Sequence, residues 1–217
     1  MRWLFLLSAF LLVNSSAQAL TLTGNFTTGS GLTAEELKSD QEWGQTFQVG
    51  ASGTLTEASV DSVVLYLYRQ NNQSGKTITA SIRPNWNGPS LWEATIPAND
   101  VEWDNSADQS TIHEAVTFSS SAATLMTDTQ YYLRVDTTAS DKVYIHYDQE
   151  SSYSPGSLVN KDGVSEGSSK DLLFAIEGSY PVPVPEPSTA LLVSLGLAGW
   201  AHARRVGRGR GRSLPGA

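Results

Sequence analysis

Apolar residues are distributed in three regimes along the chain. Behind Met1-Arg2, the stretch Trp3 to Val13 is an almost unbroken apolar run. From Leu20 to Ser179, apolar and polar residues alternate in short stretches separated by Gly, Asn, Ser and Pro. Ser188 to Ala203 is apolar again and is followed by Arg204, Arg205, Arg208, Arg210 and Arg212. Successive side chains of a strand point to opposite faces, so the alternating middle predicts strands. The two continuous runs predict helices that meet apolar surroundings all round.

The strongest strand is Ala58 to Arg69, with Val63, Leu65 and Leu67 on one face and Val64, Tyr66 and Tyr68 on the other. A strand apolar on both faces belongs in the centre of a layered structure. Further strands are predicted at Gln45–Val49, Thr77–Arg83, Leu91–Ile96, His113–Phe118, Tyr131–Val135, Val143–Tyr147 and Leu172–Glu177. Asn71 to Gly75 and Asn87-Gly88-Pro89 are turn signals. One helix is expected in the middle region, over Thr33–Lys38, where Thr33 and Glu36 have the spacing of a capping box. About eight strands without helical crossovers predict an all-β, jelly-roll-like β-sandwich, because two facing sheets each bury one face. This sandwich is expected to lie between an N-terminal signal helix and a C-terminal hydrophobic helix. The sequence has no internal repeat, which speaks against a β-solenoid.

The first run has the form of a secretory signal peptide: a positive start, an apolar stretch shorter than a membrane span, then Ala17-Gln18-Ala19. Ala17 and Ala19 supply the small side chains that signal peptidase needs, which places the mature start at Leu20. The chain therefore divides into a signal peptide (1–19), a sandwich domain (20–179), a Pro-rich linker (180–187), a hydrophobic helix (188–203) and an Arg-rich cytoplasmic tail (204–217). In the linker, Pro stands at every second position from Pro181 to Pro187, which favours an extended segment. Sixteen helical residues reach about 24 Å against a hydrocarbon core of ~30 Å, a marginal span suited to transient insertion in the inner membrane. The arginines would stay on its cytoplasmic side.

The order Val184-Pro185-Glu186-Pro187-Ser188, apolar helix, Arg cluster resembles the PEP-CTERM protein-sorting signal of Gram-negative bacteria. The resemblance covers roughly residues 183–208. It implies that Pro185, Glu186 and Pro187 are read by an exosortase, a membrane-bound processing enzyme, and that the protein is released to the cell surface or the extracellular matrix. The middle region resembles the choice-of-anchor group of bacterial surface domains, most of all its R-type member. This second likeness rests on Trp43-Gly44-Gln45-Thr46-Phe47, Thr77 to Arg83, Leu125 to Leu133, Tyr153-Ser154-Pro155-Gly156 and Asp171 to Phe174. It implies a surface module and carries no catalytic residues.

Charge sharpens this picture. Six of the 14 basic residues but only one of the 22 acids lie in the two end regions, so residues 20–179 hold 8 basic against 21 acidic groups, a net −13. Such a surface repels nucleic acid, which is excluded as a partner. Cysteine is absent, which removes thiol chemistry and Cys-ligated metals. Neither H-E-x-x-H nor a phosphate-binding Gly-rich loop occurs.

Two groups of residues remain as candidates. Asp100, Glu102, Asp104 and Asp108 could offer oxygens to a structural calcium ion, the only cofactor considered. Asn105 and Thr111 break the EF-hand pattern, and a solvated acidic loop explains the cluster equally well. Trp86, Trp92 and Trp103 could stack on sugar rings of an extracellular polysaccharide if exposed together, or could pack in the core. His113 and His146 are read as surface or packed imidazoles. The resulting expectation is an exported, non-catalytic surface or matrix protein, adhesive or polysaccharide-binding. The alternatives are a secreted carbohydrate-active hydrolase, with two facing carboxylates roughly 5–10 Å apart, or a calcium-stabilised adhesion module.

Overall fold

The computed structural model describes residues 20–25, 31–50, 54–104, 114–150, 153–167, 169–181 and Leu197. The chain divides into two units, Met1–Pro181 and Val182–Ala217. Within the first, the described residues form twelve strands: β1 (Leu20–Asn25), β2 (Leu32–Leu37), β3 (Trp43–Gln48), β4 (Glu57–Arg69), β5 (Thr77–Arg83), β6 (Trp92–Pro97), β7 (Ala115–Met126), β8 (Gln130–Thr137), β9 (Val143–Asp148), β10 (Leu158–Val159), β11 (Asp171–Leu172) and β12 (Phe174–Ser179). A single 3₁₀ turn, Ala98–Asp100, follows β6. In the second unit only Leu197 is described, and it is helical and exposed.

The expectation of an all-β architecture holds. Seven strands make one antiparallel sheet and five make another, in the order β10-β3-β8-β5-β6. β4 is central, as its two apolar faces predict. β7 runs along one of its edges, and β12 along the other up to Leu65. From Leu67 onward β9 takes the place of β12. β9 in turn carries β2 on its far side and β11 at its end.

Side chains from both sheets meet in one buried cluster. Val63, Leu65, Leu67 and Phe174 come from the first sheet, and Phe47 and Leu133 from the second. Each is completely buried, and full burial of such a side chain stabilises by roughly 1.5–3 kcal/mol. The other face of β4 is covered as well: Tyr68 is buried and stacks on Tyr144 at 4.7 Å, with Ala34 beside the pair.

The expected helix over Thr33–Lys38 is instead strand β2, paired with β9 along its whole length. Six residues are too few to hold a helix without tertiary support, and the β9 ladder satisfies their backbone. Glu36, which would have closed a capping box, accepts a hydrogen bond from the Lys142 amide at 2.7 Å and pairs with Lys38 at 2.7 Å. Burial alone would raise its carboxyl, but Lys38 and the Lys142 amide outweigh burial and hold it below the ordinary range.

The predicted strand His113–Phe118 runs instead from Ala115 to Met126, and His113 lies outside the described residues. Its middle, Ser119 to Thr124, is Ser, Ala and Thr, which gives too little apolar alternation to link Phe118 to Leu125 in one strand. The predicted strand Leu172–Glu177 divides at Leu173, where the Leu173 amide bonds the His146 carbonyl at 3.1 Å. β1, β10 and β11 add short pieces to the sheets.

Candidate functional site

A cleft of about 410 Å³ opens beside β3, between the turn joining β2 to β3 and the loop that follows β10. Each wall is set by local hydrogen bonding. In the first, Lys38 and Gln41 exchange backbone hydrogen bonds across the turn, and the Ser39 amide bonds the Ala139 carbonyl at 2.8 Å. This presents Lys38, Asp40 and Gln41 to the cleft, while Trp43 forms part of its floor.

The second wall is Asn160-Lys161-Asp162-Gly163, a turn closed by the Gly163 amide on the Asn160 carbonyl at 2.8 Å. The Asn160 side-chain oxygen accepts hydrogen bonds from the Asp162 and Val164 amides at 3.1 and 3.2 Å. Its side-chain nitrogen donates to Glu166 at 2.8 Å. Gly163 has φ 72°, a conformation that glycine reaches without steric cost. Asn160, Lys161, Asp162 and Glu166 line this side.

Trp86 supports the second wall from behind. Its indole Nε1 donates to the Lys161 carbonyl at 2.8 Å, and a Cβ placed on Gly163 would come within 2.8 Å of the ring. A Cβ on Gly44 of β3 would meet the same ring at 2.5 Å, so the tryptophan fits between two glycines. The Arg134 guanidinium lies over it, 5.6 Å from the ring centroid, and is paired with Glu42 at 2.5 Å.

The three tryptophans therefore have separate fates. Trp86 and Trp92 are buried, at 6% and 2% exposure, whereas Trp103 is 57% exposed. They form no common sugar-stacking surface, because packing claims two of them. The Arg69 guanidinium lies 5.0 Å from the Trp103 ring centroid. The same side chain donates to the carbonyls of Val101, Asn71 and Asn99, and so anchors the loop after β6.

In that loop Asp100 and Glu102 are exposed and Asp104 is half-buried. Asp108 lies outside the described residues. Glu102 accepts a hydrogen bond from the Glu114 amide at 2.9 Å. Among the described residues no three His, Cys, Asp or Glu side chains are grouped so as to hold a metal ion.

Two buried polar features stand apart from the cleft: Gln45, which sequence reasoning did not single out, and His146, which it read as a surface or packed imidazole. Gln45 bridges the two sheets: its Nε2 donates to Asp171 at 2.5 Å and its Oε1 accepts from the Leu172 amide at 2.9 Å. His146 is completely buried, with Nδ1 3.2 Å from the Thr33 carbonyl and its ring 5.3 Å from that of Tyr68. The alternation of β9 gave His146 a polar-looking face, which the packing of β2 and Tyr68 encloses.

Pro185, Glu186 and Pro187, and the cleavage residues Ala17 and Ala19, lie outside the described residues. Among those described, no helix is long and apolar enough to cross a membrane. Comparison with known proteins bears on the tail. Residues 183–206 match the PEP-CTERM protein-sorting motif, which implies sorting by an exosortase system to the cell surface. No curated protein matches the chain, and the likeness of the body to the choice-of-anchor group gains no support.

Proposed function

We propose that this chain is an exported, non-catalytic protein that an exosortase-like enzyme delivers to the cell surface, where its β domain acts in adhesion by holding extracellular polysaccharide. The observation that carries the reading is the sorting motif over residues 183–206. Strands distant in sequence lie side by side, β1 with β12 and β3 with β8, which supports a jelly-roll-like sandwich. The one G-x-S-x-G string, Gly163 to Gly167, lies in a loop rather than at a strand-to-helix elbow, and its Ser165 hydroxyl donates to Ser157 at 2.9 Å rather than to a histidine, which favours binding over catalysis.

The test is to replace Glu186 with Ala in the native host and fractionate the cells. The normal chain should appear at the surface without its tail, and the variant should accumulate at full length in the membrane fraction. Identical processing and distribution of the two would overturn the reading, as would full-length normal chain in the cytosol.

A second reading, a carbohydrate-active hydrolase, draws on the same cleft. Carboxylates stand on both walls, Asp40 on one and Asp162 with Glu166 on the other. It requires release of reducing ends from a glycan, and loss of that release in Asp162→Asn. A chain that binds glycan without releasing reducing ends removes this reading.

A further inference from the structure

We infer that the cleft between the β2–β3 turn and the Asn160–Glu166 loop binds a neutral glycan, a few sugar units at a time. The inference rests on the surface-protein reading above and names the site and ligand class within it. Its size lies in the range of small-molecule sites, ~300–1,000 Å³. The chemistry of the lining then decides the ligand.

An apolar ligand does not suit it, because the lining is predominantly amide, carboxylate and ammonium, with Trp43 as its aromatic member. Trp43 is itself buried, so little of its ring is presented and stacking is not the main contact. An anionic polymer is disfavoured: Asp40, Asp162 and Glu166 face Lys38 and Lys161, within a domain already at net −13. A bare divalent cation is disfavoured because these carboxylates do not converge on a common point.

Neutral sugar hydroxyls both donate and accept, and they match what is left. Asn160 is engaged in holding its own loop. The side chains of Asp40, Gln41, Lys161 and Asp162 make no hydrogen bond within the described residues, yet all line the cleft. Two carboxylates can each accept a pair of neighbouring hydroxyls, while one amide and one ammonium donate. Because the walls are fixed by backbone bonds and by Trp86, those groups need little ordering on binding, which lowers the entropic cost.

The test is affinity electrophoresis of the purified full-length chain in mild detergent. It is run through gels containing neutral glucan, mannan or galactan, and in parallel an anionic polyuronate. Retardation by a neutral glycan is expected. The double variant Asp40→Asn, Gln41→Ala should weaken it by about tenfold, because it removes the amide's hydrogen bonds and replaces a charged acceptor by a neutral one. Asp162→Asn should weaken it less, and Trp103→Ala should leave it unchanged.

These positions are exposed or half-buried, so the variants should melt like the parent, and the melting curve is recorded for each. No retardation by any neutral glycan, stronger retardation by the polyuronate, or equal retardation of parent and double variant would overturn the inference. Surface delivery is scored separately by the Glu186→Ala fractionation. A chain that reaches the surface and is retarded by the polyuronate alone, or equally with and without the double substitution, defeats the cleft alone; a chain that binds no glycan at all, or stays unprocessed in the cytosol, defeats the reading beneath it.

Discussion

The loop after β6 and the cleft beside β3 carry similar residues: acids, asparagines and a tryptophan. They use them differently. In the loop, the carbonyls of Val101 and Asn99 accept from one guanidinium, Arg69, which also bonds the Asn71 carbonyl beyond β4 and lies against Trp103. The exposed tryptophan and its acidic neighbours are held by both the side chain and the backbone of Arg69, whose amide bonds the Glu102 carbonyl and whose carbonyl accepts from the Asp104 amide, each at 2.9 Å. In the cleft the tryptophan is buried behind the wall, backbone amides and Asn160 hold the turns, and the acidic and amide side chains are left facing a common space. Similar composition thus yields an anchored loop in one place and a ligand-ready concavity in the other. What separates them is what the chain faces: the loop folds over Arg69 of β4, whereas the two turns of the cleft face each other across open space.

The largest test of that contrast pairs two substitutions. Trp86→Ala removes a buried indole wedged between Gly44 and Gly163, together with its bond to Lys161. It should cost about 3–5 kcal/mol in urea unfolding. Trp103→Ala removes an exposed ring whose main contact is a cation–π stack, and should cost less than about 1 kcal/mol. Equal losses would break the comparison.

Arg69→Ala should come next, at about 2–3 kcal/mol, since it leaves three carbonyls without their charged donor. Hydrogen exchange locates the effect. Amides of Val101 to Asp104 should lose protection while those of Asn160 to Glu166 keep theirs. Parallel loss in both segments would mean that the two regions are not independently held. Gly163→Ala should cost about 1–2 kcal/mol, from a positive φ and a Cβ pressed against Trp86. It should also weaken glycan retardation, whereas a variant with the parent's stability would show that the turn can relax away from the indole.

Much of the fold was legible before the coordinates, and much of the site was not. Val63, Leu65 and Leu67 with Val64, Tyr66 and Tyr68 announced a central strand, because period two survives wherever a strand is half or fully buried. β2 was misread because Thr33 and Glu36 carry a local helix-start signal that β9 overrides. The middle of β7, Ser119 to Thr124, carries hardly any apolar signal. The sequence left Trp86, Trp92 and Trp103 open between sugar stacking and core packing, because burial is decided by what packs opposite, and Gly44 and Gly163 stand far from Trp86 in sequence.

The cleft itself unites residues 38–43 with residues 160–166, a juxtaposition created by the pairing of β3 with β10. The only local trace was Asn160-Lys161-Asp162-Gly163, a recognisable turn sequence with no hint of a partner wall. The tail behaves oppositely. Its signal is contiguous, a short motif, an apolar run and an arginine cluster, so a linear reading suffices.

The smallest effect concerns the support behind the cleft. Arg134 lies over Trp86, pairs with Glu42, and has Asp136 Oδ2 3.8 Å from its Nε. Burial raises the Asp136 carboxyl above its ordinary range in spite of the attraction of Arg134. The folded chain therefore holds that proton more tightly than the unfolded chain. As pH climbs from the ordinary carboxylate value of ~3.9 through the raised folded value, the unfolded state releases its proton first and stability falls. Above both values the whole cost persists. Asp136→Asn should remove it and gain less than about 0.5 kcal/mol at pH 7, since the group is partly screened by solvent. The gain should vanish as pH drops below the ordinary carboxylate range. Melting temperatures of parent and variant across that span measure it. A variant less stable than the parent at pH 7 would mean that Asp136 holds Arg134 against Trp86 more firmly than Glu42 does, and that the cleft's support runs through the β8 carboxylate.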